Sequence, residues 1–278
     1  MRFSVVTLTS VALLAACQPA KEGEPVARVQ VSGTPSASVS PSPSASIASQ
    51  VESACRSVIF ENTPLTDCIA IPERHRIATA LAGPGGNFRG LAAFAKSRDP
   101  RTIAFAVNGG MFDEAGDPIG YFVTAGDRRK ELSTAQGEGN FHMMPNGVFF
   151  GTGDSWEVRT SADFLKSVAE RPAFGTQSGP MLVVNGKLHP EIRDDGPSRT
   201  IRNGVGIDER GRAHFVISTA PISFGKLARF YRDELDVKNA LYLDGSVSQL
   251  WNPATGRLDE GAPIGPILVV ERKVPDDE

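Results

Sequence analysis

The sequence predicts an α+β (mixed α/β) domain: many short strands forming a central mixed sheet or sheets, with a few packed helices. Two observations carry this prediction. Apolar runs of strand length recur along the chain, broken by turns rich in Gly, Asn and Asp, and apolar residues fall at helical spacing in only three places. That mixture disfavours both a helical bundle and a pure sandwich.

The first sixteen residues open with Met1 and Arg2, continue through an apolar stretch from Phe3, and end Leu14-Ala15-Ala16-Cys17. An apolar run this short with small residues before a cysteine predicts a lipoprotein signal peptide cut ahead of Cys17, leaving Cys17 as the lipidation site. Several acyl chains on that cysteine would anchor the protein firmly, where one chain alone binds marginally. Gln18 is not the aspartate that would retain a lipoprotein at a Gram-negative inner membrane. The expected location is therefore the cell envelope, at the outer membrane if the source is Gram-negative.

Residues 18–50 hold eight serines and five prolines with no aromatic side chain, so they bury too little apolar surface to offset ordering entropy. With Cys17 they form a disordered tether, roughly 30 Å from end to end as a flexible coil. Residues 51–278 then make one domain. A net charge of -3 gives no footprint for nucleic acid, and no later apolar run is long enough to cross a membrane.

Cys55 and Cys68 remain at the start of the domain. In an oxidising envelope they should pair, closing a loop worth about 3 kcal/mol in the chain-entropy model. Two free buried thiols, or a metal pair without neighbouring ligands, are the alternatives.

Strands are expected at Thr102–Val107, Ile119–Thr124, Gly147–Phe150, Met181–Val184, Gly204–Ile207, His214–Ser218, Ala240–Leu243 and Ile267–Val270. Asn185-Gly186 and the Asp208–Arg212 turn mark two hairpins. Helices are expected at Phe88–Lys96, Ala162–Glu170 and Phe224–Leu235, the last with a buried stripe of Phe224, Leu227, Ala228, Tyr231 and Leu235. Thr160 with Asp163 resembles a capping box, and Pro172 should stop the second helix.

Four polar segments sit at strand edges, where a rigid scaffold displays a site. In Asn108-Gly109-Gly110-Met111-Phe112, paired glycines would turn backbone N–H groups toward an anion and Asn108 would add an amide. Gln177 and Ser178 precede a Gly-Pro corner. Arg199, Arg202 and Asn203 lie in the third segment, where arginine suits bidentate recognition of phosphate. Asp244, Ser246 and Ser248 follow a strand in the fourth. Each segment also has a plain structural reading: a tight turn, solvated arginines paired with Asp194 and Asp195, an Asp-Gly turn.

Other chemistries are poorly supported. There is no Gly-x-Ser-x-Gly elbow, the four histidines lack metal-ligand spacing, and Gly83-Pro84-Gly85-Gly86 matches neither phosphate-loop fingerprint. No cofactor is expected; a divalent metal is left open.

Taken in order, Asn108-Gly109-Gly110-Met111-Phe112, Gly139-Asn140-Phe141 with Pro145-Asn146-Gly147-Val148-Phe149, Thr176-Gln177-Ser178-Gly179-Pro180-Met181-Leu182-Val183, Ile201-Arg202-Asn203-Gly204-Val205-Gly206 and Ala240-Leu241-Tyr242-Leu243-Asp244-Gly245-Ser246 resemble the phosphodiester glycosidase family. The resemblance spans roughly Cys55 to Val270. One feature departs: this chain has a single glycine between Asp244 and Ser246, where the glycosidase proper has three.

The resemblance implies hydrolysis of a sugar-1-phosphodiester in an envelope glycan or its fragments. Phosphate leaves with little need of protonation, so such a site holds anionic charge and stabilises an oxocarbenium-like sugar. On this reading Asp244 is the catalytic carboxylate, with Asp208 as a second one. Arg199, Arg202 and the N–H groups of Gly109 and Gly110 hold phosphate. Asn108, Gln177, Ser178, Asn203, Ser246 and Ser248 orient sugar hydroxyls or phosphate oxygens. The expected partners are a glycan or sugar-phosphodiester and, through Cys17, a membrane. The competing class is a non-catalytic envelope module that binds phosphodiester-linked or anionic polysaccharide.

Overall fold

The computed structural model describes residues 51–273. The signal segment, Cys17 and the whole tether to residue 50 lie outside the described residues.

Strands, numbered in chain order, form three main sheets. The first holds β1 (Cys55–Phe60), β2 (Thr63–Ala70), β12 (Met181–Val184), β13 (Lys187–Leu188), β14 (Asn203–Ile207), β15 (Ala213–Ser218) and β16 (Ala240–Tyr242). Their spatial order is β1-β2-β15-β14-β16-β12-β13. The second holds β7 (Phe122–Thr124), β8 (Asp127–Lys130), β9 (Gly147–Thr152), β10 (Ser155–Thr160) and β11 (Phe174–Ser178), ordered β10-β9-β11-β7-β8. The third holds β3 (His75–Ala80), β6 (Ile103–Asn108), β17 (Leu250–Asn252), β18 (Arg257–Leu258) and β19 (Ile267–Arg272), ordered β18-β17-β6-β19-β3. A small hairpin of β4 (Ala82–Gly83) and β5 (Gly86–Asn87) completes the set.

The α+β class is as the sequence predicts, with one difference. Every strand pair among the described residues is antiparallel, whereas mixed sheets were expected. Short turns such as Glu61-Asn62, both at positive φ, join neighbours directly, and two-residue connections permit only antiparallel pairing. The Asn185-Gly186 hairpin forms as expected.

The sheets meet at a phenylalanine triad. Phe215 of the first sheet packs edge-on against Phe105 of the third at 5.3 Å and Phe149 of the second at 5.7 Å. Such aromatic pairs add about 1 kcal/mol each beyond area burial. Because β6 lies at the centre and is buried along its whole length, it reads as a continuous apolar run ending in one polar residue, Asn108.

The helices are shorter than their apolar patterns suggest: α1 is Leu91–Ala95, α2 is Ser161–Ser167 and α3 is Phe224–Arg229, which continues as a wider turn through Glu234. The capping residue of α2 is as expected, Thr160 Oγ1 accepting from the Asp163 amide at 3.1 Å. That helix ends at Ser167, before Pro172 is reached. Cys55 and Cys68 are disulfide-bonded across directly paired positions of β1 and β2. No helix among the described residues is long and apolar enough to cross a membrane.

Candidate active site

The site forms where strands from separate sheets end together. β6 delivers Asn108, β14 begins at Asn203, and β16 runs out through Leu243 to Asp244. Backbone pairing locks these ends: the Leu243 amide donates to Asn203 O at 3.1 Å and the Asp244 amide to Gly109 O at 3.1 Å.

Asn108 is the hub. Its Nδ2 donates to Asp244 O at 2.7 Å, while its Oδ1 accepts from the Gln249 amide at 2.9 Å and from Asn203 Nδ2 at 3.0 Å. Ser248 Oγ donates to Asn203 Oδ1 at 3.2 Å and to Gly245 O at 2.9 Å. Asn108 and Asn203 therefore build the frame of the site, since buried amides must be satisfied and here satisfy one another. The expectation that they orient a substrate directly gives way to this scaffolding role.

Asp244 emerges from that frame onto a single turn, Gly245–Val247. Burial raises its carboxyl above the ordinary carboxylate value, and hydrogen bonds from Ser246 pull the other way. Ser246 Oγ donates to Asp244 Oδ1 at 2.6 Å and is itself exposed, so the pair stands at the mouth of the site. The hydrogen-bonded network around Asp244 contains no second carboxylate.

Asp208 lies elsewhere. It follows the far end of β14, five residues beyond Asn203, which at strand rise is roughly 17 Å away. Burial acts to raise its pKa, but hydrogen bonds from Arg212 and His214 outweigh this and hold the carboxyl below its ordinary value. Arg212 Nε donates at 2.6 Å and His214 Nε2 faces it at 3.3 Å, with His214 Nδ1 turned to buried Asp67 at 3.1 Å. This is a structural ion cluster, and the expected pairing of Asp208 with Asp244 is corrected. A sequence motif places residues in order, not at which end of a strand they fall.

The expected phosphate holders are corrected too. Gly109 N–H donates to Pro266 O at 2.7 Å and Gly110 N–H to Thr176 Oγ1 at 3.1 Å, so neither amide is free for an anion. Gly110 is required for another reason: a Cβ there would run into the carbonyl of Gln177 and the hydroxyl of Thr176, where β11 crosses. Arg199 is paired with Asp195 at 2.6 Å in a half-exposed loop.

Arg202 is 1% exposed, its guanidinium stacked 3.6 Å above the Phe224 ring. Nε donates to Ile222 O at 2.9 Å, Nη1 to Tyr242 OH at 3.1 Å, and Nη2 to Ser198 O and Oγ. With its donors so committed it supports the site from beneath and does not face a ligand. Tyr242 passes that support upward, its ring and hydroxyl lying where a Cβ on Gly245 would be.

Gln177 is likewise saturated. Its Oε1 accepts from the Tyr121 and Ser133 amides and its Nε2 donates to Ser133 O and Ser161 Oγ. Ser178, one residue on, faces the opposite side of β11, the side on which Thr176 meets Gly110. It is fully buried and its Oγ has no partner. Sequence reasoning missed Tyr242, Gln249, Thr176 and Pro266, which complete the frame. Only the strand alternation around Leu241-Tyr242-Leu243 hinted at the first. Among the described residues, no three His, Cys, Asp or Glu side chains cluster as a metal site.

With this arrangement established, likeness to known proteins can be judged. The phosphodiester glycosidase profile matches residues 101–276, more than half of the chain. The chain belongs to the phosphodiester glycosidase family. Its phosphodiester glycosidase domain resembles the catalytic domain of zebrafish N-acetylglucosamine-1-phosphodiester alpha-N-acetylglucosaminidase, with TM-score 0.55 and 16% identity over 79% of this chain and 82% of that one. A hypothetical protein from Synechocystis gives TM-score 0.52 at 14% identity, covering 79% of this chain and 61% of that one. At these identities the likeness is one of fold. Escherichia coli (strain K12) carries a relative, the uncharacterized protein YigE, 37% identical over 171 residues; the match spans 62% of this chain and 66% of that protein.

Proposed function

We propose that this phosphodiester glycosidase domain hydrolyses a sugar-1-phosphodiester, releasing the sugar and leaving a phosphomonoester on the other partner. The observation that carries this reading is the carboxylate of Asp244, the one carboxylate in its hydrogen-bonded network among the described residues, buried enough for its pKa to be raised and beside the exposed Ser246. An ordinary glycoside needs a carboxyl pair because an alkoxide is a poor leaving group. The group that leaves a sugar-1-phosphodiester is a phosphomonoester, already a stable anion, so one carboxylate at the anomeric carbon suffices.

In this reading ionised Asp244 attacks the anomeric carbon or takes a proton from water attacking it, and Ser246 Oγ keeps the carboxylate aligned. Asn108 holds the Asp244 main chain, and Arg202 with Tyr242 fixes the turn below, so the group needs little reorganisation during reaction.

Cys17, as the lipidated N-terminus ahead of a Ser/Pro-rich tether, would hold the domain in the cell envelope, where phosphodiester-linked glycans are the accessible substrates. The test is release of free sugar from a panel of sugar-1-phosphodiesters by the full chain and by Asp244→Asn. Sugar release by the wild type and none by the variant is expected. Equal turnover by both would remove Asp244 from the chemistry, and retention of such polymers without cleavage would favour a binding module.

A further inference from the structure

A cavity of about 540 Å³ opens at the end of β3, lined by residues the proposed reaction does not use. Its wall includes Ala80 and Leu81 at the end of β3, Pro118, and Thr124 of β7, and its rim carries Arg98, Arg129 and Lys130 against one carboxylate, Asp117. Asp117 is already engaged by Asn87 Nδ2 at 3.0 Å. Arg129 pairs with Asp127 at 2.9 Å, whereas Arg98 and Lys130 make no ion pair among the described residues. Arg98 is nonetheless positioned: its guanidinium lies 4.9 Å over the Phe94 ring and its Nη1 donates to Ser97 O at 3.3 Å, which leaves Nε and Nη2 for a ligand. Asn87 is a neutral donor, so Asp117 keeps its charge; with Arg129 matched by Asp127, Arg98 and Lys130 still leave the concave site an excess of positive charge, which attracts an anion and is strengthened by low-dielectric walls.

Its place relative to Asp244 gives the cavity a use. Ala80 is opposite Ile267 in the sheet, and Ile267 is opposite Asn108. Two strand spacings therefore separate the cavity wall from the hub of the site, roughly 10 Å. The backbone itself runs from Asn108 to the cavity wall at Asp117 and Pro118, through the turn Asp113–Asp117 closed by the Phe112–Pro118 bridge.

We propose that this cavity is an anion subsite, in which Arg98 and Lys130 hold a phosphate one repeat away from the diester cleaved at Asp244. The proposal deepens the phosphodiester reading and implies a polymer of sugar phosphates as substrate rather than an isolated diester. Arg98 and Lys130 reach no atom of the bond being broken, so they act on affinity and not on the chemical step.

Calorimetric titration of the full chain with tripolyphosphate tests the subsite without requiring turnover. Binding is expected in the wild type and in Asp244→Asn, with at least a tenfold weaker Kd in Arg98→Ala/Lys130→Ala. Lys130→Glu, on an exposed edge strand, should show the same loss should the double variant fold poorly. The same titration with a sugar-1-phosphate polymer and with sugar-1-phosphate alone separates a polymer subsite from a site for free phosphate: removing the cations should weaken the polymer more. Absent tripolyphosphate binding, binding indifferent to Arg98 and Lys130, or binding lost with Asp244→Asn would each overturn the subsite. Equal weakening of polymer and monomer would overturn the polymer assignment. None of these results decides whether Asp244 cleaves a diester.

Discussion

The side-chain amide of Asn108 donates to the main-chain oxygen of Asp244 at 2.7 Å, joining residues 136 positions apart. The turn bearing the candidate carboxylate thus hangs from the end of a strand buried along its whole length. Asn108→Asp keeps an acceptor for Gln249 and Asn203 but turns an oxygen toward Asp244 O. Turnover of a sugar-1-phosphodiester should fall at least tenfold with only a modest drop in Tm. Asn108→Ala should lose both, since it leaves three buried groups unpaired at about 1–3 kcal/mol each. Wild-type turnover in Asn108→Asp would show that this bond does not position Asp244.

Asp244 should trade stability for function. Its pKa is raised in the folded protein above the 3.8 of a free aspartate, so between those two values the native state holds more protons than the unfolded chain. Stability therefore falls as pH rises through that window, and the cost persists at pH 7. Asp244→Asn never charges. Its Tm should exceed wild type at pH 7, and the difference should close as pH is lowered to 3.8. Thermal denaturation across this range, paired with turnover, checks both halves; a lower Tm at pH 7 would contradict the assignment.

Gly245 admits no side chain. A Cβ would collide with the hydroxyl of Tyr242, so Gly245→Ala must displace the turn that carries Asp244. Tyr242→Phe removes the colliding oxygen and should recover part of the loss. A double-mutant cycle on stability should return a coupling of about 1 kcal/mol between the two positions. Strict additivity would mean the turn relaxes elsewhere.

Arg202 supports the site through packing as well as charge. Arg202→Ala would take a donor from Ile222 O, Ser198 O and Tyr242 OH and empty the space over Phe224, at a cost on the order of 3–5 kcal/mol. Arg202→Lys restores charge without the planar fork and should recover less than half of the loss in urea denaturation. Full recovery by lysine would reduce the role of Arg202 to charge alone.

His75 provides an acid-sensitive element away from the site. It is buried, and its Nδ1 accepts from the Ile71 amide at 2.9 Å. Burial, and secondarily Arg272, Arg74 and Lys273, lower its pKa to about 4 from 6.5. The unfolded chain binds a proton first, so stability present at neutral pH is lost as pH falls from 6.5 toward 4. His75→Asn keeps an acceptor but does not titrate, and its stability should be flatter across that interval. Parallel pH profiles for the two proteins would exclude His75 as the source.

Much of the fold was legible where a strand or turn announces itself locally. Met181–Val184, the Asn185-Gly186 hairpin and the Thr160 cap need only residues close in sequence. The first three strands were not legible. Cys55–Phe60 and Thr63–Ala70 mix polar and apolar residues with no Gly-rich turn between them, and they are organised by pairing with each other, by the pairing of β2 with β15 and by the disulfide. Helix ends failed because apolar spacing continues past the point where tertiary contacts permit a helix, as after Arg229.

By itself the sequence determined the family, the disposition of polar motifs at strand ends, and Asp244 as the carboxylate following a buried strand. Those features are local, encoded in residue type and order. Only the tertiary structure decided which motif residues are walls and which face a ligand. Hydrogen-bond capacity is finite and is divided among neighbours far apart in sequence. Asn108, Gln177 and Arg202 spend theirs on Asp244, Ser133 and Tyr242, Asp208 falls at the wrong end of its strand, and Asp244 is left as the one carboxylate in its network.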